Sequence, residues 1–152
     1  MDSSPNIRMV DIGSKAVTER QAVAKCLVVM KESTFNAMKD GTLPKGDALA
    51  AARLAGIMAS KETPRLIPMC HPLLLEEVTV DFRLLEQEYA VEIAAMVRGS
   101  GKTGFEMEAM TAAAVAALTI YDMGKGIDST IRIEKLRLVK KSGGKSGTVI
   151  LE

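Results

Sequence analysis

Residues 78–97 read VTVDFRLLEQEYAVEIAAMV, and their alternation decides the fold. Val78, Val80, Phe82 and Leu84 fall on one side of an extended chain and Thr79, Asp81 and Arg83 on the other, because successive strand side chains point to opposite faces. The pattern returns in Tyr89, Val91, Ile93, Ala95 and Val97. Two such runs, separated by Glu86–Glu88, predict a β-hairpin.

Downstream, GSGKTG (99–104) opens a long helical run over Phe105–Met123, which Gly124 or Gly126 closes. STIRIEKLRLVKK (129–141) is a further strand. Its apolar alternation slips between Ile131, Ile133 and Leu136, Leu138, which predicts a bulge near Glu134 or Lys135. Upstream, Glu19–Lys31 reads as a first strand and Ser33–Asp40 as a short helix ended by Gly41. Asp47 is a good N-cap for a helix to about Lys61, with Ala50, Leu54, Ile57 and Met58 on one face and Thr63-Pro64 as its stop. Residues 1–18 read as an irregular, flexible arm, and a Gly/Lys/Ser segment with the apolar TVILE follows the last strand. The order β-α(α)-β-β-α-β predicts an α+β fold of the ferredoxin-like, split βαβ type. That means a four-stranded antiparallel sheet with helices packed on one face, as a single domain over 1–152.

Composition narrows the function. Of 152 residues 47% are hydrophobic, which suits a globular core, and charges interrupt every candidate membrane span. MDSSPNIRMV lacks the apolar stretch of a signal peptide, and two cysteines make no disulfide framework, so a cytoplasmic location is expected. Aromatics at 3% leave little for base stacking, and a net charge of +1 argues against general nucleic-acid binding. That total hides an asymmetry. Residues 132–145 carry six Lys/Arg against Glu134 alone, a local +5 beside an acidic remainder.

Several constellations suit chemistry. RGSGKTG resembles a phosphate loop, but the full signature needs a glycine where Met96 stands, so a Walker-type ATPase is not expected. Its glycines still expose backbone N–H groups at a helix start, an anion-binding arrangement. Thr103-x-x-Glu106 fits a capping box, while Glu108 has no such duty. Asp122 opposes the dipole at its helix end, and Lys125, three residues on, is placed to pair with it as an acid–base couple. Lys45 sits just before a helix start, where cations are disfavoured. Cys70 and His71 lie in a turn bracketed by Pro68 and Pro72, and His71 is the only histidine. One His and two Cys do not complete a zinc set, so no metal site is expected. Glu108 and Asp122 differ in height by about 21 Å on one helix, so a small-molecule site using both is expected between subunits.

KGDALAAARLAGIMASKETPRLIPMCHPL, GKTGFEMEAMTAAAVAALTIYDM-x-K and KSGGKSG, with MVDIGSK near the start, closely resemble the molybdenum cofactor biosynthesis protein C family. Gly124, Gly126 and Cys26 are mild departures from its pattern. Its members are cyclic pyranopterin monophosphate synthases. The resemblance implies a lyase that takes cyclic dihydroguanosine triphosphate from an upstream radical enzyme. It implies Lys45, Asp122 and Lys125 as catalytic residues. Met69, Cys70, His71, Glu106, Met107 and Glu108 are implied as substrate contacts, and Arg20 and Lys141 as basic neighbours. With Lys102, those two are placed to neutralise the triphosphate, and Mg²⁺ enters only as its companion, with no other cofactor. A hexamer, a trimer of dimers with sites at the dimer interface, is also implied. The alternative is a non-catalytic RNA- or nucleotide-binding module on the same topology.

Overall fold

Alternation in β1 (Thr18–Val29) puts Ala22, Ala24, Cys26 and Val28 wholly inside, and the computed structural model builds its core from that row. The structure describes residues 6–152; the first five residues of the expected arm lie outside it. After β1 come α1 (Glu32–Asp40), α2 (Ala48–Leu66), β2 (Glu77–Leu85), β3 (Ala90–Gly101), α3 (Glu106–Gly124), β4 (Arg132–Ser142) and β5 (Val149–Ile150). The sheet is antiparallel, in the order β2-β3-β1-β4-β5. The hairpin is β2–β3, with Val78 opposite Val97 and Leu84 opposite Val91.

Among the described residues the sheet has five strands, not four. Val149 and Ile150 pair with Lys141 and Lys140 at the β4 edge, a two-residue strand too short for an alternation pattern to reveal. The bulge falls where the slip in apolar spacing predicts it. Lys25 opposes Arg137 and Leu27 opposes Glu134, so Lys135 and Leu136 together face Cys26, and Lys135 takes φ 56°. A second register shift, between Val23 and Ala24, has no such signal.

Helix α2 departs from expectation in two ways. It runs through Pro64 to Leu66. A proline there removes the N–H that would bond the Ser60 carbonyl, and the Thr63 hydroxyl donates to that carbonyl instead, at 2.9 Å. The inward face is also not the one expected. Leu54 and Met58 are 61% and 56% exposed, while Ala52, Gly56, Ala59 and Thr63 are buried. Close approach to α3 is the reason, since a Cβ on Gly56 would stand 2.9 Å from the Ala112 carbonyl and 3.1 Å from Val80. Ala109, Ala112, Ala113, Ala116 and Ala117 of α3 are fully buried, so small side chains let the two helices and the sheet pack tightly. This buried α3 sets the site: one end emerges beside the arm and the β4–β5 loop, the other beside the loop before α2.

Candidate active site

At the N-terminal end of α3 the expected capping box does not form. The helix starts at Glu106, its N-cap is Phe105, and no side chain caps it. Glu106 is instead turned to a cavity of about 620 Å³. Lys141, Arg20, Lys15 and Lys145 line the same cavity with Thr103 and the Gly143–Ser146 loop. The result is a basic bowl at the positive end of a helix dipole, suited to phosphate oxygens. Arg20 is partly committed, donating to the carbonyls of Gly101 (3.1 Å) and Lys102 (3.4 Å), which ties β1 to the β3–α3 turn. Lys102 does not line the cavity; its ammonium donates to the Gly13 carbonyl at 3.2 Å.

Two residues beyond Glu106 along α3, Glu108 is almost wholly buried, with Oε2 3.8 Å from the Cys70 thiol and Oε1 without a partner among the described residues. Burial raises its carboxyl above the usual range, and neighbouring Glu106 adds to the rise; its own amide and the thiol oppose it. Burial, followed by the Glu108 charge, raises the Cys70 thiol, which argues against a thiolate nucleophile. His71 Nε2 lies 2.8 Å from the Val10 carbonyl. A carbonyl only accepts, so this nitrogen carries the hydrogen, which leaves Nδ1 as the position that accepts or releases a proton. Met69 and Met107 are each more than a third exposed.

The other end of α3 gathers the remaining expected residues. Asp122 Oδ2 is 2.9 Å from Lys45 Nζ and Oδ1 is 3.0 Å from Lys125 Nζ, so one carboxylate bridges two ammonium groups. Hydrogen bonds from Lys45 first, then Lys125, hold its carboxyl below the usual range. Lys125 is the C-cap of α3, its amide donating to the Tyr121 carbonyl. Gly46, at φ 106°, turns the chain between Lys45 and the Asp47 cap, whose carboxylate accepts from the Ala50 amide.

Asp128 holds the chain just beyond. It is buried and accepts from Thr130 Oγ1 (2.6 Å), Thr130 N (2.8 Å), Thr34 Oγ1 (2.9 Å) and Lys31 N (3.0 Å). Burial alone raises its carboxyl; these four bonds outweigh that and hold it well below the carboxylate range. Asp128→Ala is expected to cost about 3 kcal/mol by urea unfolding at neutral pH, since Thr34 and Lys31 lose a buried acceptor. A depressed native carboxyl stabilises above its unfolded value and ceases to as pH falls toward the native one. The gap between wild type and variant therefore narrows below about pH 4.

Within one chain, then, Arg20, Glu106 and Lys141 share the bowl, Cys70 touches Glu108, His71 touches the Val10 carbonyl, and Lys45, Asp122 and Lys125 form a separate cluster. Lys15 and Lys145 were not expected in a site. Their signals were weak, one in an irregular arm and the other between glycines.

The chain as a whole resembles proteins of one known family. The model of the MoaC family matches residues 9–144. The chain belongs to that family. A relative from Roseiflexus castenholzii, named cyclic pyranopterin monophosphate synthase, is 55% identical over 152 residues, covering all of this chain and 96% of its own. Relatives of the same name from Heliobacterium modesticaldum and Clostridium botulinum are 53% and 48% identical, each over 99% of this chain and 95% of theirs.

Proposed function

We propose that this MoaC family chain is a cyclic pyranopterin monophosphate synthase, a lyase in an early step of molybdenum cofactor biosynthesis. It converts cyclic dihydroguanosine triphosphate, supplied by an upstream radical enzyme, to cyclic pyranopterin monophosphate and diphosphate. The observation that carries this reading is end-to-end identity of 55% with a relative of that name.

The residues divide the work by position. Arg20, Lys15, Lys141 and Lys145 neutralise the triphosphate in the bowl, with the open amides of the α3 start as further donors. Glu106, Glu108 and His71 orient the guanine-derived ring or pass protons, with Met69, Cys70 and Met107 shaping its pocket. Glu108, with its raised carboxyl, suits proton donation, and His71 Nδ1 suits acceptance. Lys125 serves as the central acid–base with Lys45 as a second, and Asp122 fixes both. No step runs through a metal, and Mg²⁺ enters only with the triphosphate.

Glu108 and Asp122 stand about 21 Å apart along one helix, too far for one substrate. The site therefore joins the start of α3 in one subunit to the end of α3 in another, within a hexamer built as a trimer of dimers. More than half-exposed Leu54 and Met58 on α2 and Leu118 on α3 supply apolar surface for such contacts. A cytoplasmic location fits; among the described residues no helix is long and apolar enough to cross a membrane.

Incubation with cyclic dihydroguanosine triphosphate, followed by mass detection, tests the activity. Cyclic pyranopterin monophosphate with an equivalent of diphosphate is expected; unchanged substrate contradicts the reading. A salt-sensitive RNA shift without turnover would favour a binding module. The geometry gives that module little, because Phe82 lies under Arg53 at 5.4 Å and Tyr89 packs on Phe35.

A further inference from the structure

The cavity's outer wall, Gly143–Ser146, belongs to the loop between β4 and β5, and β5 is only two residues long. Paired backbone alone holds such a strand weakly. A second attachment lies just beyond it. Arg137 Nε donates to Glu152 Oε2 at 2.7 Å and Nη2 donates to Oε1, a bidentate fork joining β4 to the residues after β5. The Leu151 amide adds a bond to the Val139 carbonyl at 2.9 Å. On its other side the loop presses onto a residue of the bowl. Gly143 and Gly144 take φ 98° and 74°, and a Cβ on Gly144 would stand 2.5 Å from Arg20 Nη1. The loop is thus pinned against Arg20 at one end and fastened through Glu152 at the other.

We propose that Arg137 and Glu152 are positioning residues, a clasp that holds the 143–148 loop and its Lys145 against the triphosphate end of the cavity. This rests on the reading above, in which the cavity takes the triphosphate. Neither side chain lines the cavity, so both act through the loop. Fork geometry matters here, because a fixed bidentate pair restrains a chain in a way that a single exposed ion pair does not. Opening the clasp leaves the core and the proton-transfer groups intact and lowers the fraction of molecules with the loop in place. Substrate binding then weakens by that fraction while the chemical step is kept.

Full-length Glu152→Gln and Arg137→Gln, and the exchanged pair Arg137→Glu/Glu152→Arg, test this. One readout is trypsin cleavage after Lys145, followed by mass with and without inorganic triphosphate; the other is KM and kcat for the cyclic triphosphate. Each single variant is expected to be cleaved about tenfold faster and to raise KM about five- to tenfold, with kcat within about twofold and Tm near wild type. Inorganic triphosphate slows cleavage, and the exchanged pair returns cleavage and KM toward wild type. Unchanged cleavage and KM in the single variants overturn the proposal, as does a loss that the exchanged pair does not relieve. If the wild type does not turn over the cyclic triphosphate, the functional reading falls, while cleavage after Lys145 still decides the clasp.

Discussion

Lys125→Ala is expected to lower kcat on the cyclic triphosphate by about 10³-fold, the size of effect that follows loss of a general acid–base group. Purine ring opening and pyranopterin closure require several proton transfers, and Lys125 holds its ammonium 3.0 Å from Asp122 Oδ1 at an exposed helix end. Half its side chain is exposed, so its loss costs the fold only about 0.5 kcal/mol. Steady-state kinetics beside a thermal melt separates the two effects. Near-normal turnover from a folded variant contradicts the assignment. Lys45 still pairs with Asp122 in this variant, so the carboxylate is not left alone.

Glu108→Gln is expected to lower kcat by about 10²- to 10⁴-fold for a different reason. The amide fills the same buried space and keeps an acceptor for the Cys70 thiol, but it has no proton to give. Because burial raises the Glu108 carboxyl, its acid form persists to higher pH than usual and is lost as pH climbs through the raised value. The wild-type pH–rate profile should therefore fall on its alkaline side through this group, and the variant should lack that limb. An identical alkaline limb in Glu108→Gln would assign the proton to another residue.

The sequence made much of this architecture legible. Period-two alternation identified β2 and β3, and β-propensity identified β1; the slip in β4 revealed its bulge. The α2 face was not legible, because Leu54 and Met58 look like core by hydrophobicity while the core row is Ala52, Gly56 and Ala59. Size, not hydrophobicity, decided that face, and the contact with Ala112 that demands it comes from another helix. Pro64 misled because its rescue is a side-chain bond from Thr63. The Asp122–Lys125 pair and its distance from Glu108 were legible from residue type and helical rise alone, whereas placing Lys45, Arg20 and Lys141 beside them rested on the family resemblance. The cavity wall was not, since Gly143, Gly144 and Lys145 gain meaning only once positive φ values and β5 bring the loop back onto Arg20.

Mixing subunits of these two variants tests the central claim, that each site joins opposite ends of α3 from two chains. Lys125→Ala and Glu108→Gln proteins are each expected to be nearly inactive alone, and random re-pairing after reversible dissociation creates dimers in which one site has both native ends. Recovery of about a quarter of wild-type activity is the result expected for isologous dimers. Activity that stays at the sum of the two separate variants, with hybrid dimers verified by mass, would contradict a site shared between subunits.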